Sequence, residues 1–239
     1  MSEPTQQTSN PALYTAPEML SRSTHQNLKL LASNDFSFAR NTAAVPVVIS
    51  ELAAAAAHYP IVFVRGEENA QPMALLSANE GENSFVDAEG QWRADTYIPA
   101  YVRRYPFVFA TDTNTDTLVL FAEVHSDRFS EEEGEPLFND GEPTATTSRA
   151  LSFCNDFQRD HALTLEWVNK LQELSLLSDQ RLTIRRGGQP TKVLDGLQLL
   201  DRQAFRNLPD EQFLELRGAG FLGPIYAHLA SLHSLRYFL

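Results

Sequence analysis

The sequence predicts an α+β fold, a mostly antiparallel sheet with C-terminal helices packed on it. Three observations carry that expectation. Short β-type runs separated by turn residues occupy residues 45–125. Beyond Thr144 the apolar residues recur at helical spacing, as in Leu151, Cys154 and Phe157. A small hairpin signal, Leu182–Ile184 and Val193–Leu199 around Gly187-Gly188, interrupts the helical half. Strands first and helices afterwards is the order of an α+β chain, whereas a parallel sheet needs alternating units. At 239 residues the chain is long enough to bury a sizeable core.

Taken in order, residues 1–16 are polar and proline-dotted and read as a flexible arm before a single domain over residues 17–239. Phe36-Ser-Phe38 reads as a short strand. Ser50 is placed to cap a helix over Glu51–His58, whose five alanines favour helix. Tyr59-Pro60 stops it. Ile61–Val64 follows as a buried strand, Gly66–Gln71 as a turn and Pro72–Ser77 as the hairpin partner. Asp87-Ala-Glu-Gly90 is a turn closed by glycine, and Pro99 forbids a helix through Tyr97–Tyr101. Phe107–Ala110 and Thr117–Val124 are strands joined by the polar turn Thr111–Thr115. Residues Asp127–Glu142 form an acidic loop anchored by Leu137-Phe138. Thr164 is placed to cap a second helix carrying Trp167, Val168, Leu171 and Leu174 on one face. Asp201 and Pro209 begin two short helices, and Phe221–Leu239 is a last amphipathic one. Its stripe of Leu222, Ile225, Leu229, Leu232 and Leu235 has to be covered by the core or by a second copy, giving a homodimer.

The formal net charge of −12 argues against nucleic acid as a partner, because neutralising phosphates takes clustered Lys and Arg. The N-terminus has no basic segment followed by an apolar core, and no apolar run approaches the roughly 20 residues of a transmembrane helix. A cytoplasmic location is expected. Cys154 is the only cysteine, which rules out an intrachain disulfide and a multi-cysteine zinc site. Its neighbours Leu151, Phe153 and Phe157 make it a buried, inert thiol, with His161 the one sequence-local base.

Residues 85–110 concentrate aromatic, arginine, proline and glycine residues as no other stretch does. Within them, "DAEGQWRADTYIPAYVRRYPF" resembles the signature of the bacterial SapC family, named for a surface-layer-associated protein. The segments "AHYPIVFVR", "EPLFNDGEPT", "TLEWVNKLQELSLL" and "IYAHLASLHSL" are similar to the same family, so the resemblance covers residues 45–239. It implies bacterial surface or nutrient-uptake systems and brings no assigned reaction with it.

Two chemistries compete for the site. Arg103 and Arg104, with Trp92, Tyr97, Tyr101 and Tyr105 around them, suit a planar anion or a sugar, since guanidinium forks grip oxyanions and tyrosine faces stack on rings. The bland alternative pairs the arginines with Asp87 or Asp95 to lock the loop. On the enzymatic side, His125-Ser-Asp127 follows a strand and offers two ligands of a 2-His-1-carboxylate iron site, with His228 or His161 as the third. His228 and His233 are separated by about 500° of helix and do not form a stacked zinc pair. No GxxxxGK, GxGxxG or GxSxG motif is present. The residues favour a non-catalytic binding or accessory protein without a cofactor, taking a protein partner or a small anionic or sugar ligand. A metal-dependent oxygenase through His125 and Asp127 is the alternative.

Overall fold

The computed structural model describes residues 12–66, 69–112, 117–186 and 189–238. In chain order the longer elements are β1 (Ala44–Pro46), α1 (Leu52–Ala56), β2 (Ile61–Arg65), β3 (Ala70–Leu75), α2 (Ala100–Arg103), β4 (Phe107–Asp112) and β5 (Thr117–Ala122). They continue with α3 (Ala145–Glu173), β6 (Leu177–Arg186), β7 (Gln189–Leu200), α4 (Arg202–Arg206), α5 (Asp210–Gly218) and α6 (Leu222–Ser231). The architecture is α+β with antiparallel pairing and C-terminal helices, as the sequence predicts. Among the described residues no helix is long and apolar enough to cross a membrane.

The chain divides into two compact units. The first holds residues up to Ser33 together with Arg104–Asn155. Here β4 and β5 form the expected hairpin, in register from Phe107↔Ala122 to Asp112↔Thr117, and Glu18–Met19 adds to the other edge of β5. The expected turn over Thr111–Thr115 lies mostly outside the described residues. The core gathers Phe107, Leu120, Ala122, Leu137, Phe138 and Cys154. Leu137 and Phe138 anchor the acidic loop as expected. Burial pushes the Cys154 thiol up to about 11, against a smaller opposing pull from Arg104, which keeps it protonated and unreactive. The loop is stitched down by short ladders, Lys29–Leu30 pairing with both Phe129–Ser130 and Glu135–Pro136. Gly134 is required there: its φ is +111°, and a Cβ would stand 2.5 Å from the Leu30 carbonyl oxygen. Of the N-terminal arm, residues 1–11 lie outside the described residues. Tyr14 is buried with its hydroxyl donating to the Phe107 carbonyl at 2.7 Å, and the Thr15 and Ala16 N–H groups donate to the Glu123 carboxylate.

The second unit holds Asn34–Arg103 and the residues from Asp156 onward. Its five-stranded sheet has the order β6-β7-β2-β3-β1. This corrects the expectation of one sheet over residues 45–125. The strands β4 and β5 belong to the first unit, and the C-terminal hairpin, its Gly187-Gly188 turn lying outside the described residues, joins the sheet through Leu197↔Val64 and Gln198↔Phe63. Its inward residues Leu197 and Leu199 pack on Val62 and Leu75, so removing apolar surface from water fixes the pairing. On this sheet α6 contacts β2 and β7 as well as α1, burying Ile225 and His228.

Three local expectations are also corrected. Thr164 does not cap a new helix but lies inside the 29-residue α3. Its hydroxyl donates to the Asp160 carbonyl at 2.6 Å and accepts the Ile49 N–H at 2.8 Å, a mid-helix back-bond in place of a cap. Ser37–Ala39 is a 3-10 turn, not a strand, with the Asp35 carboxylate accepting the Ser37 N–H. Ser50 does not cap the alanine helix, its hydroxyl donating instead to the Asp160 carboxylate; the helix is entered through Ile49–Glu51, where the Glu51 side chain accepts the Val48 N–H.

Candidate functional site

The glycine-closed turn at the head of the signature forms as expected, the Gly90 N–H donating to the Asp87 carbonyl. Glycine is obligatory at that point. Its φ is +81°, and a Cβ would fall 2.0 Å from the Asp35 carboxylate. The turn is clipped by Arg40, whose guanidinium donates to the Asp87 and Ala88 carbonyls. The Asp87 carboxylate itself accepts the Glu89 and Gln91 N–H groups.

Trp92 follows, 8% exposed, with its ring 5.6 Å from Phe36 and 6.3 Å from Phe85. Its indole N–H donates to the Tyr59 hydroxyl at 3.3 Å, and Tyr59 in turn donates to the Tyr97 carbonyl. Burial raises the Tyr59 pKa, so the hydroxyl remains a donor. The signature is thereby tied to Tyr59, just beyond the end of the alanine helix.

A second tie runs through Glu51. This carboxylate is 5% exposed and accepts three bonds, from the Val48 N–H at 3.1 Å, the Ala100 N–H at 2.7 Å and the Tyr97 hydroxyl at 2.9 Å. Burial nevertheless raises its pKa, outweighing those donors and the Arg103 charge. Burial, then the Glu51 charge, pushes Tyr97 up to about 12. The Tyr97 oxygen accepts from the Arg103 guanidinium at 2.9 Å, the Arg103 Nε–H donates to the Ile98 carbonyl at 3.0 Å, and the guanidinium lies 5.5 Å from the Tyr97 ring. A relay thus leads from a buried carboxylate through a tyrosine to an exposed arginine.

The six expected site residues are distributed between the units. Trp92, Tyr97, Tyr101 and Arg103 belong to the second, where Trp92 and Tyr101 are buried, Tyr97 is half-buried and Arg103 is exposed. Arg104 and Tyr105 belong to the first. There Tyr105 is buried with its ring 5.5 Å from Tyr14, and the half-buried Arg104 places its guanidinium 5.6 Å from the same ring. Arg103 is linked to the Glu51 carboxylate through the Tyr97 hydroxyl.

The iron site considered as an alternative is not assembled. His125 is exposed and sits 2.9 Å from the Glu18 carboxylate, while Asp127 is exposed in the turn that follows. His228 belongs to the second unit and is fully buried, with Nε2 accepting the Leu200 N–H at 3.2 Å. Burial lowers its pKa to about 4, so the ring is a neutral core histidine. Among the described residues no three His, Cys, Asp or Glu side chains are grouped to hold a metal ion.

Glu51 and Tyr59 escaped the sequence reading although a signal existed. Glu51 is the only carboxylate in the apolar run Val45–Val64, and a charge embedded there has to find partners.

Fold and site together define an α+β protein in which an aromatic segment is folded around a buried carboxylate. The SapC family model matches residues 20–237, nearly the whole chain, and the chain belongs to the SapC family. Comparison with curated proteins and with solved structures finds no match.

Proposed function

We propose that the chain is a cytoplasmic, non-catalytic binding or accessory protein serving bacterial surface or nutrient-uptake systems. Its recognition surface is the corner where Arg103 stands over Tyr97. The observation that carries this reading is the combination of exposure and fixation at Arg103. An exposed arginine ordinarily samples many rotamers, at about 2 kcal/mol of entropy lost when it is ordered. Arg103 is already held by the Ile98 carbonyl, the Tyr97 hydroxyl and the Tyr97 ring. A guanidinium ordered in advance beside an aromatic face suits a carboxylate, a phosphate or the polar rim of a sugar, on a protein partner or a small ligand. The buried Trp92 and Tyr101 act beneath it as scaffold, and Arg104, packed on Tyr14, acts structurally.

The test is native mass spectrometry of the untagged chain isolated from its own cells, beside Arg103→Ala and Arg103→Lys. A bound partner or ligand lost in the alanine variant and reduced in the lysine variant is expected. An unchanged set of bound species in all three would contradict the reading.

A further inference from the structure

The C-terminal helices enclose a second feature, made of residues outside the signature. A groove of about 620 Å³ opens between α4, α5 and α6. Its floor is aromatic: the Phe205 ring lies 6.1 Å from Phe213 and 5.9 Å from Tyr226. Its rim carries Arg202, Arg206 and His233.

The fold has no need of this arrangement. The core face of α6 is supplied by Ile225 and His228, whereas Tyr226 points outward and is 54% exposed. Arg202 and Arg206 occupy positions i and i+4 of a five-residue helix, where like charges are mildly repulsive. The Asp201 cap, accepting the Gln203 and Ala204 N–H groups, starts α4 so that both face the groove. Among the described residues, neither guanidinium is in an ion pair with a carboxylate. Arg202 makes one long bond, 3.4 Å, to the Leu229 carbonyl. Asp210 is the sole acidic residue of the lining. A cationic edge of this kind on a chain of net charge −12 is complementary to an anion. The aromatic floor is complementary to an apolar body, and the volume falls in the range of small-molecule sites, roughly 300–1,000 Å³.

We infer that the groove between α4, α5 and α6 binds a small amphipathic carboxylate, its apolar tail on Phe205, Phe213 and Tyr226 and its carboxylate between Arg202 and Arg206. Bidentate guanidinium–carboxylate pairing fixes the head, and ring faces cover the tail. The site stands independently of the Arg103 corner, because no residue is shared.

Dodecanoate is the probe, with dodecanol as its uncharged counterpart. Isothermal titration of the full chain is expected to show one saturable dodecanoate site, with dodecanol at least tenfold weaker. In the double variant R202Q/R206Q, dodecanoate affinity falls at least tenfold and dodecanol affinity stays the same. Both arginines are exposed, so thermal melts confirm an intact fold. Tyr226→Glu, also at an exposed position, weakens both ligands. Equal binding of acid and alcohol, or an affinity unmoved by R202Q/R206Q, overturns the inference. So does the absence of saturable binding, which leaves the groove to a protein partner. Sedimentation of the same samples supplies the remaining check: a dimer that dodecanoate does not dissociate assigns the groove to a second copy and overturns it as well.

Discussion

The Tyr97 hydroxyl donates to the Glu51 carboxylate at 2.9 Å, joining the middle of the family signature to the start of the alanine helix. Those residues are far apart in sequence, and both are withdrawn from water to different degrees, Glu51 almost completely. A carboxylate so buried is costly unless its lone pairs are filled. Here two backbone N–H groups and one phenol fill them. The signature is accordingly a packed framework first, and Arg103 is one of the residues by which it reaches solvent.

Trp92 tests the framework. It is nearly enclosed by Phe36, Phe85 and Tyr59. Trp92→Ala is expected to cost roughly 3–5 kcal/mol, as for other large-to-small aromatic substitutions. Trp92→Phe, which retains most of the apolar volume, costs less. A thermal melt unchanged in the alanine variant would refute the packing role.

His228 predicts a pH dependence. Its pKa falls from an ordinary 6.5 to about 4 in the fold, through burial with a contribution from Arg202 and against the Ile61 backbone. Above pH 6.5 the ring is neutral in both states and its contribution is complete. As pH falls towards 4 the unfolded chain takes up a proton that the native state refuses, and stability declines. Below 4 both states are protonated and the decline stops. The loss amounts to about 3 kcal/mol. In urea titrations, the stability difference between the native chain and His228→Gln should narrow by that amount over this window. A constant difference would show that the histidine is not held neutral.

The adjacent arginines should behave unequally. Arg104 is half-buried and stacked on Tyr14, so Arg104→Ala is expected to cost about 1–2 kcal/mol in lost stem packing and cation–π attraction. Arg103 is exposed, and Arg103→Ala should cost less than about 1 kcal/mol. Paired denaturation curves with equal losses would remove the distinction between a structural and a recognitive arginine.

Local pairing was legible in the sequence and distant pairing was not. The hairpins β2–β3 and β4–β5 show as β-type runs around turn residues, and Leu137-Phe138 stands out as an apolar pair in an acidic loop. By contrast, nothing near Val193–Leu199 states that Leu197 will pair with Val64, because that register is set by burial against Val62 and Leu75. Thr164 was ambiguous for a similar reason. The same hydroxyl serves as a cap or as a back-bond, and its partner Ile49 lies on a remote segment. Aromatic density singles out the stretch 85–110, yet density is as much a sign of burial as of recognition. Trp92 and Tyr101 went inward, and the chain division fell between Arg103 and Arg104. The aromatic groove went unnoticed because Phe205, Phe213 and Tyr226 come from three separate helices.

The central claim is that the signature is organised by the Glu51–Tyr97 contact. A double-mutant cycle measures it directly, using urea unfolding of the native chain, Glu51→Gln, Tyr97→Phe and the double variant. Groups in one hydrogen-bonded network couple by roughly 0.5–3 kcal/mol, whereas independent sites add within about 0.5 kcal/mol. A coupling of about 1 kcal/mol or more is predicted. Additive losses, with no coupling beyond error, would contradict the account.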